Sequence, residues 1–395
     1  RRRHTRYISV TGVQTCALPI SPHLELRPGR DAAAAPDAGK MIHWSADKDG
    51  ARKVYEVGGL TLTLSSVAPP KGEDAQSPEP TLTVADGQSP PFTAKGEGGF
   101  STPAADFGVA RLDPLGDGPQ VVFQIFTGGA HCCIQTLVLT KRDGRWRVLD
   151  VKTGEGGAWE TLPTDENGDG VVDLTFVDDR FAYSFDSFAG SWMPPAVYEL
   201  VGGEVRDAST ARRNRPLFER DAAEAEKVCR NHENGACAGF MADAARLGRL
   251  DWGWKIVQAG YRKDSDWPLG EKCWVRTPDG GDCPKDKTTP FADFPAALES
   301  RLVELGYIRA SQARWATSAP VEPSFDCGRA KSAALKLVCA TPALIAADHD
   351  MAMAYVEALA EAKDPAALKR EQRAWAARLA SAPRSEEHTS ELQSH

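Results

Sequence analysis

One ten-residue segment, Asp165 to Leu174 (DENGDGVVDL), carries the side chains best suited to bind a hard cation. Glycines at 168 and 170 permit the tight turn that wraps oxygen atoms around calcium. An EF-hand requires Glu at the twelfth position, which is Phe176, so this segment is not an EF-hand. We expect a structural Ca²⁺ site here, and the alternative is an Asx-rich turn without metal. The expected oxygen ligands stand at alternate positions and belong to Asp165, Asn167, Asp169, Asp173 and the carbonyl of Val171.

The same pattern occurs 52 residues earlier, at Asp113 to Val122 (DPLGDGPQVV). Both copies share D-x-x-G-D-G, but Leu115 and Val121 replace two oxygen ligands in the earlier copy. We therefore expect the earlier copy to lack the ion. The repeat resembles the calcium loops of FG-GAP or VCBS-type β-propeller repeats, and this resemblance implies small β-sheet units. About 170 residues barely allow four blades, so a propeller-like fold and a sandwich both stay open.

The cysteines predict the compartment in which the protein works. Outside the first twenty residues they form four local pairs, for which local disulfide pairing is the simplest connectivity. Disulfides of this kind imply the periplasm, the cell envelope or the exterior. Zinc is the alternative, but no CxxC pair occurs with a matching second pair or a His doublet. The predicted bridges are Cys132/Cys133, Cys229/Cys237, Cys273/Cys283 and Cys327/Cys339.

His131 stands directly before the adjacent Cys132 and Cys133 and follows a Gly-Gly-Ala sequence. A histidine in this position can activate a thiol, and the three side chains can together hold a soft metal. The alternative is a vicinal disulfide, or two buried thiols at the start of a strand. We favour this structural alternative.

Both ends of the chain resemble a translated sequencing adapter. Arg384 to His395 (RSEEHTSELQSH) back-translates to one strand of a common library adapter, and Val10 to Ile20 back-translates to its complement. We therefore set residues 1–20 and 384–395 aside before considering the fold. The two ends carry net charges of +4 and −2, so removing them changes the formal net charge from −8 to −10.

The composition of this acidic chain limits its partners. Nucleic-acid binding requires clustered Lys and Arg, and no such cluster occurs. No segment reaches about 18 continuous apolar residues, so we expect no transmembrane segment. The 42% of apolar residues in 395 is enough for several globular domains.

The periodicity of apolar residues divides the chain into regions. Residues 21–40 are a Pro/Ala-rich linker, and residues 41–215 alternate with period two, which predicts antiparallel strands. Residues 216–307 change to helical spacing, and residues 308–321 are a polar linker. A last helical module occupies residues 322–383. The sequence therefore predicts an α+β multidomain protein: a β domain (propeller-like or sandwich), a disulfide-braced helical region and a C-terminal αα-hairpin.

The last module contains an ordered set of residues around Cys327 and Cys339. Asp326 precedes the first cysteine, a P-x-L sequence starts the next helix, and a Q-x-x-W sequence follows on a second helix that begins at Asp364-Pro365. This pattern resembles the LprI-type lysozyme-inhibitor family over about 60 residues. On the alternative interpretation the polar members are only the core of the hairpin. The residues that carry the resemblance, besides the two cysteines, are Asp326, Asp348, Tyr355, Gln372, Trp375 and Arg378.

The sequence favours binding over catalysis. It contains none of the HExxH, GxSxG, Walker or GxGxxG motifs, and we therefore expect no catalytic residues and no enzyme. The LprI resemblance implies an exported inhibitor of lysozyme, whose basic surface would attract an acidic chain. The alternative is a calcium-stabilised envelope adhesion or scaffold protein that binds glycan or protein through its β domain.

Overall fold

The computed structural model describes residues 39–67, 78–98, 102–128, 133–273, 285–314 and 323–381. The chain folds as an α+β protein, with antiparallel sheets followed by helices, as the sequence predicts. No described helix combines the length and the apolar character needed to cross a bilayer.

Two sheets enclose the first core. The four-stranded sheet has the order β2-β3-β4-β5, and the five-stranded sheet has the order β1-β6-β7-β8-β9. Trp44, Leu62 and Phe123 are completely buried between them. The strands are β1 (Ile42–Ser45), β2 (Arg52–Val57), β3 (Leu60–Val67), β4 (Glu79–Ala85), β5 (Phe92–Lys95), β6 (Ala104–Ala110), β7 (Gln120–Phe126), β8 (Ile134–Arg142) and β9 (Arg145–Gly154), with a short helix α1 (Ala46–Asp49) after β1.

The five-stranded sheet is buried on both faces. Successive residues of β7 point to opposite faces, so Val121 and Phe123 enter the first core while Val122 enters a second core. The second core includes Leu174 and Leu200 from a three-stranded sheet of β10 (Asp173–Val177), β11 (Pro195–Val201) and β12 (Glu204–Asp207). Sheets stacked in this way form a layered sandwich, one of the two alternatives that the sequence left open.

Helices α2 (Arg215–Cys229), α3 (Asn234–Arg246), α4 (Leu250–Gly260) and α5 (Phe294–Glu304) form a third core. Between α4 and α5 lie two short paired strands, β13 (Glu271–Cys273) and β14 (Thr288–Pro290). Asp293 caps α5 by accepting a hydrogen bond from the Ala296 N–H at 3.0 Å. Ile308, which the sequence assigned to a linker, is buried in this core.

The last described segment contains three helices, α6 (Ala333–Ala340), α7 (Pro342–Glu361) and α8 (Pro365–Ser381). Asp364 caps α8 through the Ala367 N–H at 2.8 Å, as the Asp-Pro sequence predicts. The predicted hairpin has α7 and α8 facing each other, but each long helix instead makes its main module contacts with α6. We refer to residues 323–381 as the C-terminal module and to residues 39–314 as the body.

Candidate functional site

The loop predicted to bind calcium is folded around one carboxylate. Asp165 Oδ1 accepts hydrogen bonds from the N–H groups of Gly168 and Asp169 at 2.7 and 3.1 Å. Asp165 Oδ2 accepts from the Gly170 N–H at 2.8 Å. Gly170 has φ +87°, a left-handed conformation that favours glycine. The backbone N–H groups of the loop therefore supply hydrogen bonds to both oxygens of the Asp165 carboxylate.

Asn167 and Asp173 form the inner end of the loop. Asn167 Nδ2 donates to both carboxylate oxygens of Asp173, at 2.9 and 3.0 Å, and lies 2.8 Å from Asn214 Oδ1. Asp173 is 4% exposed, and its burial, with the charges of Glu199 and Asp169 nearby, raises its pKa to about 6. These contacts attach the loop to the residues just before α2.

Arg213 connects this loop to strand β11. Its guanidinium lies 2.7 Å from Asp169 Oδ2 and 2.7 Å from Glu199 Oε1. Glu199 is completely buried and also pairs with Arg206 at 2.5 Å. Two guanidinium groups thus compensate one carboxylate removed from water, which makes the removal of either arginine costly. We call Asp169, Glu199, Arg206 and Arg213 the junction cluster.

The oxygens of Asp165, Asn167 and Asp169 have the chemistry that calcium prefers, and each accepts a hydrogen bond from the loop's own amides. Val171, the expected carbonyl ligand, donates its N–H to Asp169 Oδ1 at 2.9 Å. Among the described residues, no three His, Cys, Asp or Glu side chains are grouped so as to hold a metal ion. These hydrogen bonds match the alternative of an Asx-rich turn, and calcium binding stays a prediction.

The earlier copy of the repeat uses its first aspartate to hold a distant turn. Asp113 is completely buried, and its carboxylate accepts from the N–H groups of Gly202 and Gly203 at 2.9 and 2.5 Å. It also accepts from the Leu115 N–H at 2.9 Å. Gly202 and Gly203 form the turn between β11 and β12, so this aspartate joins the turn to the five-stranded sheet.

Two of the four predicted disulfides lie wholly within the described residues, and both are formed. Cys229–Cys237 joins the end of α2 to α3 with a Cα–Cα distance of 4.5 Å, and Cys327–Cys339 joins a 3₁₀ turn to α6 with a distance of 5.9 Å. Cys133 is disulfide-bonded. His131, Cys132 and Cys283 lie outside the described residues, as does the side chain of Cys273 at the end of β13.

The residues that carry the LprI resemblance occupy different environments in the C-terminal module. Asp348 is buried on α7 and accepts from the Ser324 N–H at 2.5 Å, so it holds the segment before Cys327 against this helix. Asp326 caps the 3₁₀ turn through the Gly328 N–H at 2.7 Å. The others are more accessible: Tyr355, Gln372 and Trp375 are half-buried and Arg378 is exposed.

A pair of acidic residues that no sequence motif predicted lies at the centre of the helical core. Asp243 on α3 is completely buried, and Asp221 on α2 is 6% exposed. Trp192 Nε1 donates to Asp221 Oδ2 at 2.8 Å. Burial and the adjacent Asp221 raise the pKa of Asp243 well above its usual range.

Arg246, one turn after Asp243, borders this pair. Its guanidinium lies over the ring of Tyr307, 4.4 Å from the centroid, and donates to the Pro195 carbonyl. Tyr307 in turn donates to Asp178 Oδ2 at 2.8 Å. The helical core is thus tied by polar contacts to Asp178 and to the first residue of β11.

A local signal for the acidic pair exists in the sequence. Asp243 interrupts the apolar run Phe240-Met241-Ala242 on a helix whose face is otherwise buried, and Asp221 stands between the buried Phe218 and Ala222. An acid at an apolar position of an amphipathic helix is rarely buried without a partner. Their pairing depends on how α2 packs against α3, which the spacing alone does not give.

Comparisons with known proteins find a family model that matches the helical region of this chain. Residues 208–306 match the family described as the sll0997 C-terminal domain. This match covers helices α2 to α5 and includes Asp221 and Asp243.

Two curated proteins are similar over longer segments. One is named "Probable thylakoid lumen protein sll0997" from Synechocystis sp., 34% identical over 218 residues, which are 53% of this chain and 62% of that protein. The other is "Uncharacterized protein y4bJ" from Sinorhizobium fredii, 31% identical over 296 residues, which are 73% of this chain and 45% of that protein. The chain therefore spans about half to three fifths of these relatives' lengths. No solved structure matches the chain significantly.

Proposed function

We propose that this chain is an exported binding protein without catalytic activity, working in the periplasm or outside the cell. The observation that carries the proposal is the pair of short-range disulfides, Cys229–Cys237 and Cys327–Cys339, because such bridges persist in oxidising compartments. A relative named as a probable thylakoid lumen protein adds support, since a lumen is also outside the cytoplasm.

The C-terminal module is the part proposed to bind lysozyme. The LprI resemblance of residues 322–383 motivates this proposal, and the Asp348 contact with Ser324 shows that one resembling residue organises the disulfide-bonded segment. The negative charge of the chain favours the approach of a strongly basic partner, and salt weakens this attraction.

The test is the rate of cell-wall lysis by lysozyme in the presence of the purified full chain at micromolar concentration and low salt. We expect inhibition that falls when Cys327 and Cys339 are both replaced by Ser, and that survives the same replacement of Cys229 and Cys237 in protein that remains folded. An unchanged lysis rate with the full chain rules out the lysozyme proposal.

A second proposal, motivated by the oxygen-rich sequence of the Asp165–Asp173 loop and its position between the β domain and the helices, is a calcium-stabilised adhesion or scaffold protein that binds glycan or protein through its β domain. The loop joins the β domain to the helices through Asn214 and Arg213, so an ion bound there would stiffen this junction. We expect CaCl₂ to raise the melting temperature above that in EGTA, and Asp169→Ala to remove this difference. Asp117→Ala, at the matching position of the earlier copy, is the control, and equal melting temperatures of the wild type in both buffers rule out the ion.

A further inference from the structure

One face of helix α7 carries several polar contacts between the C-terminal module and the body. Asp350, Glu357 and Glu361 follow one another at spacings of seven and four residues, which places them along a single helix face. We call these three residues the acidic stripe. Each of them accepts a hydrogen bond or forms an ion pair with a residue of the body.

The partners of the acidic stripe come from two places in the body. Arg309 Nη2 lies 2.7 Å from Glu357 Oε2. The adjoining 3₁₀ turn donates to Asp350 from the Ala310 N–H and the Ser311 hydroxyl, at 2.9 and 2.6 Å. At the other end of the stripe, the Arg212 N–H donates to Glu361 Oε1 at 2.5 Å.

The interface contains little apolar surface. Of the described residues in the C-terminal module, Ala360 alone belongs to the helical core of the body. Its carbonyl accepts from Arg213 Nη1 at 3.1 Å, and a further pair joins Lys369 on α8 to Glu204. The Arg309 and Glu357 side chains are 35% and 46% exposed, so dissolved ions screen this pair. An intrachain interface that is polar rather than apolar permits the two parts to separate.

The C-terminal module has its own internal ties, which do not involve the acidic stripe. Cys327–Cys339 closes its first loop, Asp348 holds Ser324, and α6 contacts both α7 and α8. Asp348 is two residues before Asp350 and therefore points away from the stripe. Separation from the body breaks none of these ties.

We infer that the docked module is a closed state, held by the acidic stripe, and that the same stripe binds a basic protein surface once the module separates from the body. The inference rests on the proposed binding of lysozyme, whose basic surface competes with Arg309 and the donors at Arg212 and Ala310 for the same carboxylates. Docking in this way is an autoinhibitory contact.

Opposite charge reversals test the two halves of this inference. Arg309→Glu and Glu357→Lys both place like charges together and open the module, while the double variant restores the pair in reverse. We expect hydrogen exchange at the Ala310 and Arg212 amides to become several-fold faster in each single variant and in the wild type at 1 M NaCl, and to return toward the wild-type rate in the double variant.

The inhibition of lysozyme is then expected to differ between the two single variants. Arg309→Glu frees an intact stripe, so its inhibition of lysis increases several-fold, whereas Glu357→Lys frees a damaged stripe and loses inhibition. Lys336→Glu on the exposed face of α6 makes the same charge change as Arg309→Glu without touching the stripe, and we expect it to leave inhibition near the wild-type level.

The possible outcomes distinguish failure of the closed state from failure of the proposed lysozyme binding. Exchange rates that respond neither to Arg309→Glu nor to 1 M NaCl overturn the closed state. Faster exchange with equal inhibition by the two single variants overturns the role of the stripe in binding. Faster exchange with no inhibition by any variant overturns the lysozyme proposal and leaves the separable docking in place.

Discussion

The buried Asp221–Asp243 pair makes the stability of the helical core depend on pH. The pKa of Asp243 is raised by burial and by Asp221, so the folded protein keeps a proton that the unfolded chain has already lost. The contribution of this proton to the free energy of unfolding is fully present below the pKa of an unfolded aspartate, about 4. It is lost as the pH rises from there through the folded pKa of Asp243. Trp192 donates to Asp221, and Arg246 is the nearby cation that partly opposes the shift.

We predict that Asp243→Asn flattens this dependence. The amide carries no titrating proton, so the loss of stability as the pH rises above about 4, up to about 1.4 kcal/mol per pH unit for one proton, disappears from this site. Urea unfolding at several pH values measures the effect, with the exposed Asp264→Asn as the control. A slope equal to that of the wild type contradicts the assignment of the proton to Asp243.

At the scale of elements, the β11–β12 turn depends on a residue about 90 positions earlier in the chain. We predict that Asp113→Ala lowers the free energy of unfolding by about 2–4 kcal/mol, because the half-buried N–H of Gly202 and the buried N–H of Gly203 lose their charged acceptor. The matched change Asp117→Ala, whose side chain accepts from the exposed Gly144 N–H, is expected to cost less than about 1 kcal/mol. Similar costs for the two variants in denaturant unfolding argue against the role of Asp113.

The Cys229–Cys237 bridge stabilises the packing of α2 against α3. The pair closes a loop with a sequence separation of 8, and we predict that replacing both cysteines by Ser costs about 2–3 kcal/mol. Thermal unfolding with and without reductant measures this cost. Wild-type protein whose melting temperature is insensitive to reductant contradicts the prediction, and it also weakens the assignment to an oxidising compartment.

At the scale of the whole molecule, period-two alternation predicts the strands because each strand packs one or both faces into a core. The sequences VVFQIF and IQTLVLT become the central strands β7 and β8 for this reason. Helical spacing likewise places α3, α4 and α5. The pattern does not predict long-range contacts. Examples are Asp113 with Gly203, Asp221 with Asp243, and α6 with both α7 and α8. Those contacts depend on how finished elements pack together.

Among the site residues, too, local contacts could be predicted from the sequence and contacts between distant parts of the chain could not. Asp165 and its glycines behave as a local turn, which a ten-residue window is enough to predict, and the two described disulfides close loops short enough to identify from spacing. Arg213 carries no motif, and its importance comes from contacts with Asp169 and Glu199 that lie 44 and 14 residues away.

The junction cluster has a practical consequence for how the protein is divided into expression fragments. A cut at the predicted boundary between residues 215 and 216 leaves Arg213 on the β fragment, so the helical fragment is released without its donor to the Ala360 carbonyl. Moving the cut upstream of Arg212 instead separates the completely buried Glu199 from Arg213, one of its two guanidinium partners. Either truncation is expected to yield poorly soluble material, and a productive fragment has to retain both sides of this junction.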